Sequence, residues 1–182
     1  MVILIAGVAL WALAHLFKRV LPDRRAALGD KGKGAVALAL LLSVLLMIFG
    51  YRIADFVPLW SGPTWLVHLN NLAVLIALYM MSPAPKKGAL LNNVRHPMLI
   101  GFVLWAGAHL LVNGDLASLI LFGGLGAWAL VEIAVINRAE PAWAPGPKGS
   151  IAKDGMFFVA SILLLGVIGY IHGLIGPSPF PG

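Results

Sequence analysis

Long uninterrupted runs of hydrophobic residues dominate the chain, and short polar segments separate them. The runs do not alternate between apolar and polar positions, which excludes membrane β-strands. A transmembrane helix needs about 20 mostly apolar residues, and each run approaches or reaches that length. The pattern predicts six transmembrane helices, at Val2–Phe17, Ala35–Gly50, Trp65–Met81, Met98–Val112, Leu116–Ile136 and Met156–Ile175.

The segments between these runs are short and rich in proline and glycine. Short connections make consecutive helices antiparallel neighbours. No convincing internal repeat and no shift in composition divides the chain. We therefore predict an all-α fold, a polytopic integral membrane bundle of about six transmembrane helices that forms a single domain over residues 1–182.

The overall composition supports a membrane location. Of the 182 residues, 60% are hydrophobic and 11% are charged, against about 45–50% and about 25% in an average soluble domain. So few polar side chains cannot cover a water-exposed surface, which excludes a soluble enzyme and a disordered chain. The chain contains no cysteine, which excludes disulfides, thiolate metal ligands and covalent c-type haem attachment.

The basic residues are distributed unevenly among the polar segments. The segments after the first, third and fifth runs contain twelve of the thirteen Lys and Arg residues, and Arg52 follows the second run. The positive-inside rule places these basic loops in the cytoplasm and both termini outside. A signal peptide requires positive charge before its apolar core, and here no charge precedes Lys18. We therefore expect a retained first helix. No stacking aromatics lie among the charges, which argues against nucleic-acid binding.

A few ionisable side chains lie within the apolar runs, where such groups are candidates for function. His109 lies deep in the fourth run beside Ala106, Gly107 and Ala108, whose small side chains would admit a flat cofactor. Neutral imidazole, the form expected there, is also the form that binds metals. The alternative for His109 is helix packing through a bond to a neighbouring carbonyl group.

Other polar candidates lie nearer the ends of the runs. His68 is close to the outer end of the third run, and Asn71, one turn further on, could orient its ring or line a polar pocket. Glu132 lies well inside the fifth run, where it either pairs with Arg138 or Arg95 or has a functional role. The remaining candidates, which share a position at a predicted cytoplasmic helix end, are His15, Arg95 and His96.

Several segments together resemble the signature of NnrU-family membrane proteins. The linked stretches Asn93–Leu99 and Leu104–Leu110, whose histidines lie thirteen residues apart, make the resemblance specific. It covers most of the chain and weakens after about residue 140. The further matching features are Asn113–Asp115, His15, Pro58–Trp60 and His68.

This family is related to plant 15-cis-zeta-carotene isomerase, which holds haem b between helices and isomerises a carotenoid double bond without net redox change. The resemblance implies that His15 and His109 are haem ligands and that His68 is a third important histidine. Depth along the predicted helices instead favours His68 as the partner of His109, so the second ligand stays open. The isomerase also has a ligand-switching cysteine just before its second haem histidine, where this chain has Ala106.

The resemblance therefore implies a haem-b protein of the bacterial cytoplasmic (inner) membrane. Its function would be linked to nitrite and nitric-oxide metabolism in denitrification, or to carotenoid cis–trans isomerisation. Its partners would be the lipid bilayer and either nitric oxide or an apolar substrate. Whether it is an enzyme, and its oligomeric state, stay open. A non-enzymatic accessory or assembly factor for a respiratory complex is the alternative, and the scarcity of intramembrane charge argues against a transporter.

Overall fold

The computed structural model describes residues 1–180, and its regular elements over this range are all helical. A π-helical turn, Leu119–Gly123, joins two of the helices, so that Leu116–Ala139 is one continuous helical segment. The all-α prediction is confirmed. The helices are α1 (Val2–Val20), α2 (Pro22–Ala27), α3 (Gly29–Arg52), α4 (Leu66–Met81), α5 (Ala84–Lys87), α6 (Pro97–Val112), α7 (Leu116–Ser118), α8 (Gly124–Ala139) and α9 (Ile151–Ile175).

Four helical segments are long and apolar enough to cross a membrane, namely Val2–Val20, Gly29–Arg52, Leu116–Ala139 and Ile151–Ile175. The helices α4 and α6 are also apolar but have 16 residues each. At a rise of about 1.5 Å per residue, such a helix is shorter than the hydrocarbon core of about 30 Å. The structure thus supports a membrane-type helical fold with four full-length helices and two shorter ones, and does not establish six equivalent spans.

The helices extend beyond the hydrophobic runs at their polar ends. Helix α3 begins at Gly29, whose φ of 51° separates it from α2 in a conformation that favours glycine. Helix α9 begins at Ile151, where the side chain of Ser150 accepts the N–H of Lys153. Hydropathy marks the part of a helix that suits lipid, whereas capping groups decide where the helix begins. Asp154 consequently lies inside α9 and not before it.

The described chain forms two compact units that interleave along the sequence. Unit 1 comprises Met1–Ser61 and Asn113–Pro141. Unit 2 comprises Gly62–Val112 and the described residues from Ala142 onward.

Close helix packing in unit 1 depends on small residues. Helix α1 runs antiparallel to α3, with Gly7 against Met47 and Gly50 against the backbone of Leu4. Helix α8 runs parallel to α1 and contacts it through Gly124. Glycine at such contacts lets helix backbones approach closely. In a lipid bilayer, where the hydrophobic effect does not drive helices together, this close packing stabilises their association.

Two loop segments of unit 1 are paired with each other. The N–H groups of Leu59 and Trp60 donate to the carbonyl oxygen of Gly114 at 2.7 and 3.0 Å. The carboxylate of Asp115 then accepts the backbone N–H of Ser118 at 2.9 Å and its hydroxyl at 2.5 Å, which caps α7. Both segments belong to the family-like signature of the sequence, and the structure brings them together as one element.

A buried acid connects the elements of unit 2. Helices α4 and α6 pack antiparallel, with Gly101 against the carbonyl oxygen of Ala77. Helix α9 packs against α4, where the hydroxyl of Tyr79 donates to the Asp154 carboxylate at 2.6 Å. The same carboxylate accepts the backbone N–H of Ala89 at 2.6 Å. Asp154 therefore holds the loop after α5 against α4 and α9.

Candidate functional site

His15 lies in the second half of α1, half-buried against two tryptophans of unit 1. Its Nδ1 is 3.0 Å from the backbone carbonyl oxygen of Trp11, one turn earlier. Because a carbonyl oxygen can only accept, Nδ1 is the donor in this contact, and Nε2 is the ring nitrogen that could bind a metal. The centroid of the His15 ring is 4.3 Å from that of Trp11 and 4.5 Å from that of Trp128. These contacts fix both the tautomer and the orientation of the imidazole.

His109 repeats this arrangement in unit 2, in the last turn of α6. Its Nδ1 is 2.8 Å from the carbonyl oxygen of Trp105, and the two ring centroids are 4.9 Å apart. The ring planes are inclined at 53°, compared with 43° for Trp11 and His15. Gly107 is exposed, and no atom lies within 4 Å of the position its side chain would occupy. Because residues two apart do not face each other on a helix, this open position is not beside the His109 ring, while Ala106, one turn before His109, is 2% exposed. The space for a flat cofactor beside His109 stays a prediction.

A short repeated motif, Trp-Ala-x-Ala-His, explains the shared geometry. It occurs at Trp11–His15 and at Trp105–His109, once in each unit. A spacing of four residues places the tryptophan carbonyl one helical turn before the imidazole, within reach of its N–H. Hydropathy does not separate these residues from the apolar runs around them, so only the residue identities reveal the motif.

The remaining predicted histidines have different surroundings. His68 is exposed in the first turn of α4. Because α4 and α6 are antiparallel, His68 and His109 lie at the same end of that helix pair, in agreement with their predicted depths. His96 and Arg95 are half-buried immediately before the first residue of α6, which is the helix start predicted for them.

Asn71 makes its hydrogen bonds to groups other than the ring of His68. Its Nδ2 donates to the carbonyl oxygen of Pro179 at 2.8 Å, and its Oδ1 accepts from Nδ2 of Asn70 at 3.0 Å. The amide thus joins α4 to the segment after α9 instead of orienting the ring of His68. Asn70, which hydropathy did not single out, is 6% exposed, and its Oδ1 has no hydrogen-bond partner in the described structure.

Glu132 is a buried acid of unit 1, and its cationic partner is Arg19. The Nε of Arg19 is 3.7 Å from Oε1 of Glu132, and its guanidinium also donates to Glu140 at 2.8 Å. The prediction that Glu132 pairs with Arg138 or Arg95 is therefore wrong. Arg138 follows Glu132 by six residues, which places it on a different face of α8. The missed partner comes from another helix, far away in the sequence.

The site candidates are separate imidazoles in apolar and aromatic surroundings. Within residues 1–180, no three His, Asp or Glu side chains are grouped to bind a metal ion by themselves. An imidazole whose Nδ1 proton is held by a carbonyl group can still coordinate a transition metal through Nε2. His15 and His109 have this arrangement in common.

The comparison with protein families extends over almost the whole chain. The model of the NnrU family, described as NnrU protein, matches residues 3–179. No curated protein and no solved structure matches the chain. The match includes both copies of the Trp-Ala-x-Ala-His motif and the paired loop segments, and it confirms the resemblance drawn from the sequence. The chain belongs to the NnrU family.

Proposed function

We propose that this protein is a membrane haem-b protein in which His109 ligates the iron, with His15 and His68 as the two candidates for the second ligand. The observation that carries the proposal is the carbonyl bond to Nδ1 in both His109 and His15, at 2.8 and 3.0 Å. Such a bond to a metal-ligating histidine fixes the tautomer and raises the basicity of the other ring nitrogen. His68 is exposed and belongs to no copy of the motif.

The surroundings of these histidines suit haem better than a bare metal ion. Carboxylate-rich sites bind hard cations, whereas neutral imidazoles with apolar neighbours are typical of haem proteins. Tryptophan rings stand beside both imidazoles. When bound, haem would supply an iron that exchanges electrons or binds a diatomic gas. The protein would hold the imidazole protons in place and exclude water.

Within this proposal, nitrite and nitric-oxide metabolism is favoured over carotenoid isomerisation. The related isomerase has a cysteine near its second haem histidine that is implicated in ligand switching. Ala106 occupies that position here, and the chain contains no cysteine at all. No thiol can therefore replace an imidazole on the iron. Histidine ligation without such a switch suits electron transfer, or binding of nitric oxide in place of one imidazole.

The ligand assignment is tested with glycine variants and added imidazole. His109→Gly and His15→Gly are each expected to reduce or shift the Soret band of the haem-supplied protein, and free imidazole should restore it by occupying the vacated space. His96→Gly, at the opposite end of α6, should leave the spectrum unchanged. His68→Gly decides between the two candidates for the second ligand, because only the variant that removes the true ligand should change the Soret band. Restoration of the Soret band by imidazole shows that the variant lost a ligand to the iron. A misfolded variant would not recover the band, because imidazole does not reverse misfolding.

The functional assignment needs a second readout. Nitric oxide is expected to shift the Soret band of the reduced protein, while cis-carotenoids incubated with it should be recovered unchanged. Isomerised carotenoid would contradict the preference for nitric-oxide chemistry. A folded protein that binds no haem would contradict the whole proposal and favour the non-enzymatic accessory factor.

A further inference from the structure

An apolar groove lies between α1 and α3 in unit 1. The two helices contact closely at Gly7 and Gly50, and the groove opens toward their other ends. Its main part is a cleft of about 420 Å³, and a second cleft of about 420 Å³ adjoins it at Phe17 and Leu21 and reaches Arg24. The main part is lined by aliphatic and aromatic side chains that include Leu13, Ala14, Val20, Ala35, Val36 and Ala39.

Basic side chains surround the polar end of this groove. Arg24 lines the second cleft. Lys18 and Lys31 each lie one helical turn from a residue that lines the main cleft, Ala14 and Ala35 respectively. All three are exposed. Within residues 1–180 none of the three pairs with an acid, whereas Arg19 pairs with two glutamates and Lys33 pairs with Asp30.

We propose that this groove binds an anionic phospholipid. An acyl chain would lie along the groove, and the phosphate would lie among Lys18, Arg24 and Lys31. Charge complementarity carries the proposal, because a long apolar surface that ends in unpaired cations matches an amphiphile with an anionic head. Leu13 and Val20, which line the groove, are 67% and 63% exposed in the chain alone. The proposal does not depend on haem binding.

A second copy of the chain is a less suitable occupant. In a two-fold contact the same patch of both copies meets. Such a contact in one membrane would bring the three cations of this patch close to the same three cations of the partner copy. Like charges at close range oppose association, whereas an anionic lipid neutralises them.

Native mass spectrometry of the full-length protein tests the proposal, because it records bound lipids and oligomeric state together. The detergent-solubilised protein is offered equal amounts of phosphatidylglycerol and phosphatidylcholine with the same acyl chains. We expect retained phosphatidylglycerol to exceed retained phosphatidylcholine. Each basic residue near a membrane surface strengthens attraction to anionic lipid by about five-fold. The double variant Lys18→Gln/Arg24→Gln should therefore lose most of the preference.

Two further variants sharpen the result. Ala39→Trp, which fills the groove without changing charge, should reduce retention of phosphatidylglycerol. Arg138→Gln, an exposed cation at the end of α8 that does not line the groove, should retain the preference. Equal retention of the two lipids by the unmodified protein would overturn the proposal. So would an equal loss in the Arg138 variant, or a lipid-free dimer that Ala39→Trp dissociates.

Discussion

Arg19 determines how unit 1 accommodates its buried negative charge. Its side chain is 23% exposed, while that of Glu132 is 11% exposed. One carboxylate oxygen of Glu132 lies 3.7 Å from Arg19, and the other has no hydrogen-bond partner in the described structure. A carboxylate removed from water needs a nearby cation to offset the lost hydration. We infer that Arg19 provides this compensation.

Replacement of Arg19 by glutamine should destabilise the protein, because it leaves the Glu132 carboxylate buried without a countercharge. Breaking a fully buried ion pair costs about 3–5 kcal/mol, and the partial exposure of Arg19 reduces the expected loss to about 1–2 kcal/mol. The double variant Arg19→Gln/Glu132→Gln should recover most of it, since the buried charge is then gone. Unfolding of the detergent-solubilised protein measures both.

The control for this prediction is Arg138→Gln, which removes an exposed arginine from the same unit without affecting Glu132. Its unfolding should match that of the unmodified protein. If the double variant is as unstable as Arg19→Gln alone, the loss does not come from the buried carboxylate. Residue chemistry was enough to mark Glu132 as important. It could not identify the partner, because that partner is supplied by a different helix.

Helix α3 contains two kinds of glycine that the sequence does not distinguish. A side chain at Gly50 would begin 2.5 Å from the backbone nitrogen of Leu4 and 2.8 Å from its Cα. At Gly34, no atom lies within 4 Å of the same position. The first glycine therefore permits the contact between α1 and α3, whereas the second only lowers helix propensity.

Alanine substitutions separate these two roles. Gly50→Ala should push α1 and α3 apart and cost about 1–3 kcal/mol, as overpacking does in other well-packed interiors. Gly34→Ala should leave stability unchanged or raise it by up to about 1 kcal/mol through better helix propensity. Thermal unfolding of both variants in the same detergent compares them. Equal effects at the two positions would show that the close approach of Leu4 and Gly50 does not matter for stability.

Hydrophobic runs located each main helical segment but not its internal irregularities. The fifth run, predicted as one helix, contains the π-helical turn Leu119–Gly123. Hydropathy carries no information about such a turn, because every residue in it is apolar or glycine. The turn lies next to Gly124, which contacts Val8 of α1 in the packing between the two helices. Such packing is set by the whole fold.

The molecule as a whole has an orientation that the basic residues predict. The loops after the first, third and fifth hydrophobic runs should lie in the cytoplasm, with both termini outside. Because the chain has no cysteine, single cysteines can be introduced without background labelling. In spheroplasts, a membrane-impermeant maleimide should label Ser61→Cys, while Ala26→Cys and Gly146→Cys should react only after lysis. The reverse pattern would contradict the predicted orientation.

At the scale of the whole molecule, each of the two units contains one Trp-Ala-x-Ala-His motif. Sequence identified His15, His68 and His109 as candidates, but it treated them as separate residues. The bonds from Nδ1 to tryptophan carbonyls distinguish two of them. The interleaving of the two units could not be predicted, because it depends on contacts between distant segments.

The central claim is that this NnrU-family protein binds haem b through histidine. The most direct measurement is the pyridine haemochrome spectrum of the protein purified from cells supplied with haem, taken beside that of the double variant His15→Gly/His109→Gly. We predict haem b in stoichiometric amount in the unmodified protein and its loss in the folded double variant. Absence of haem b from the unmodified protein, or equal haem content in both, would contradict the claim.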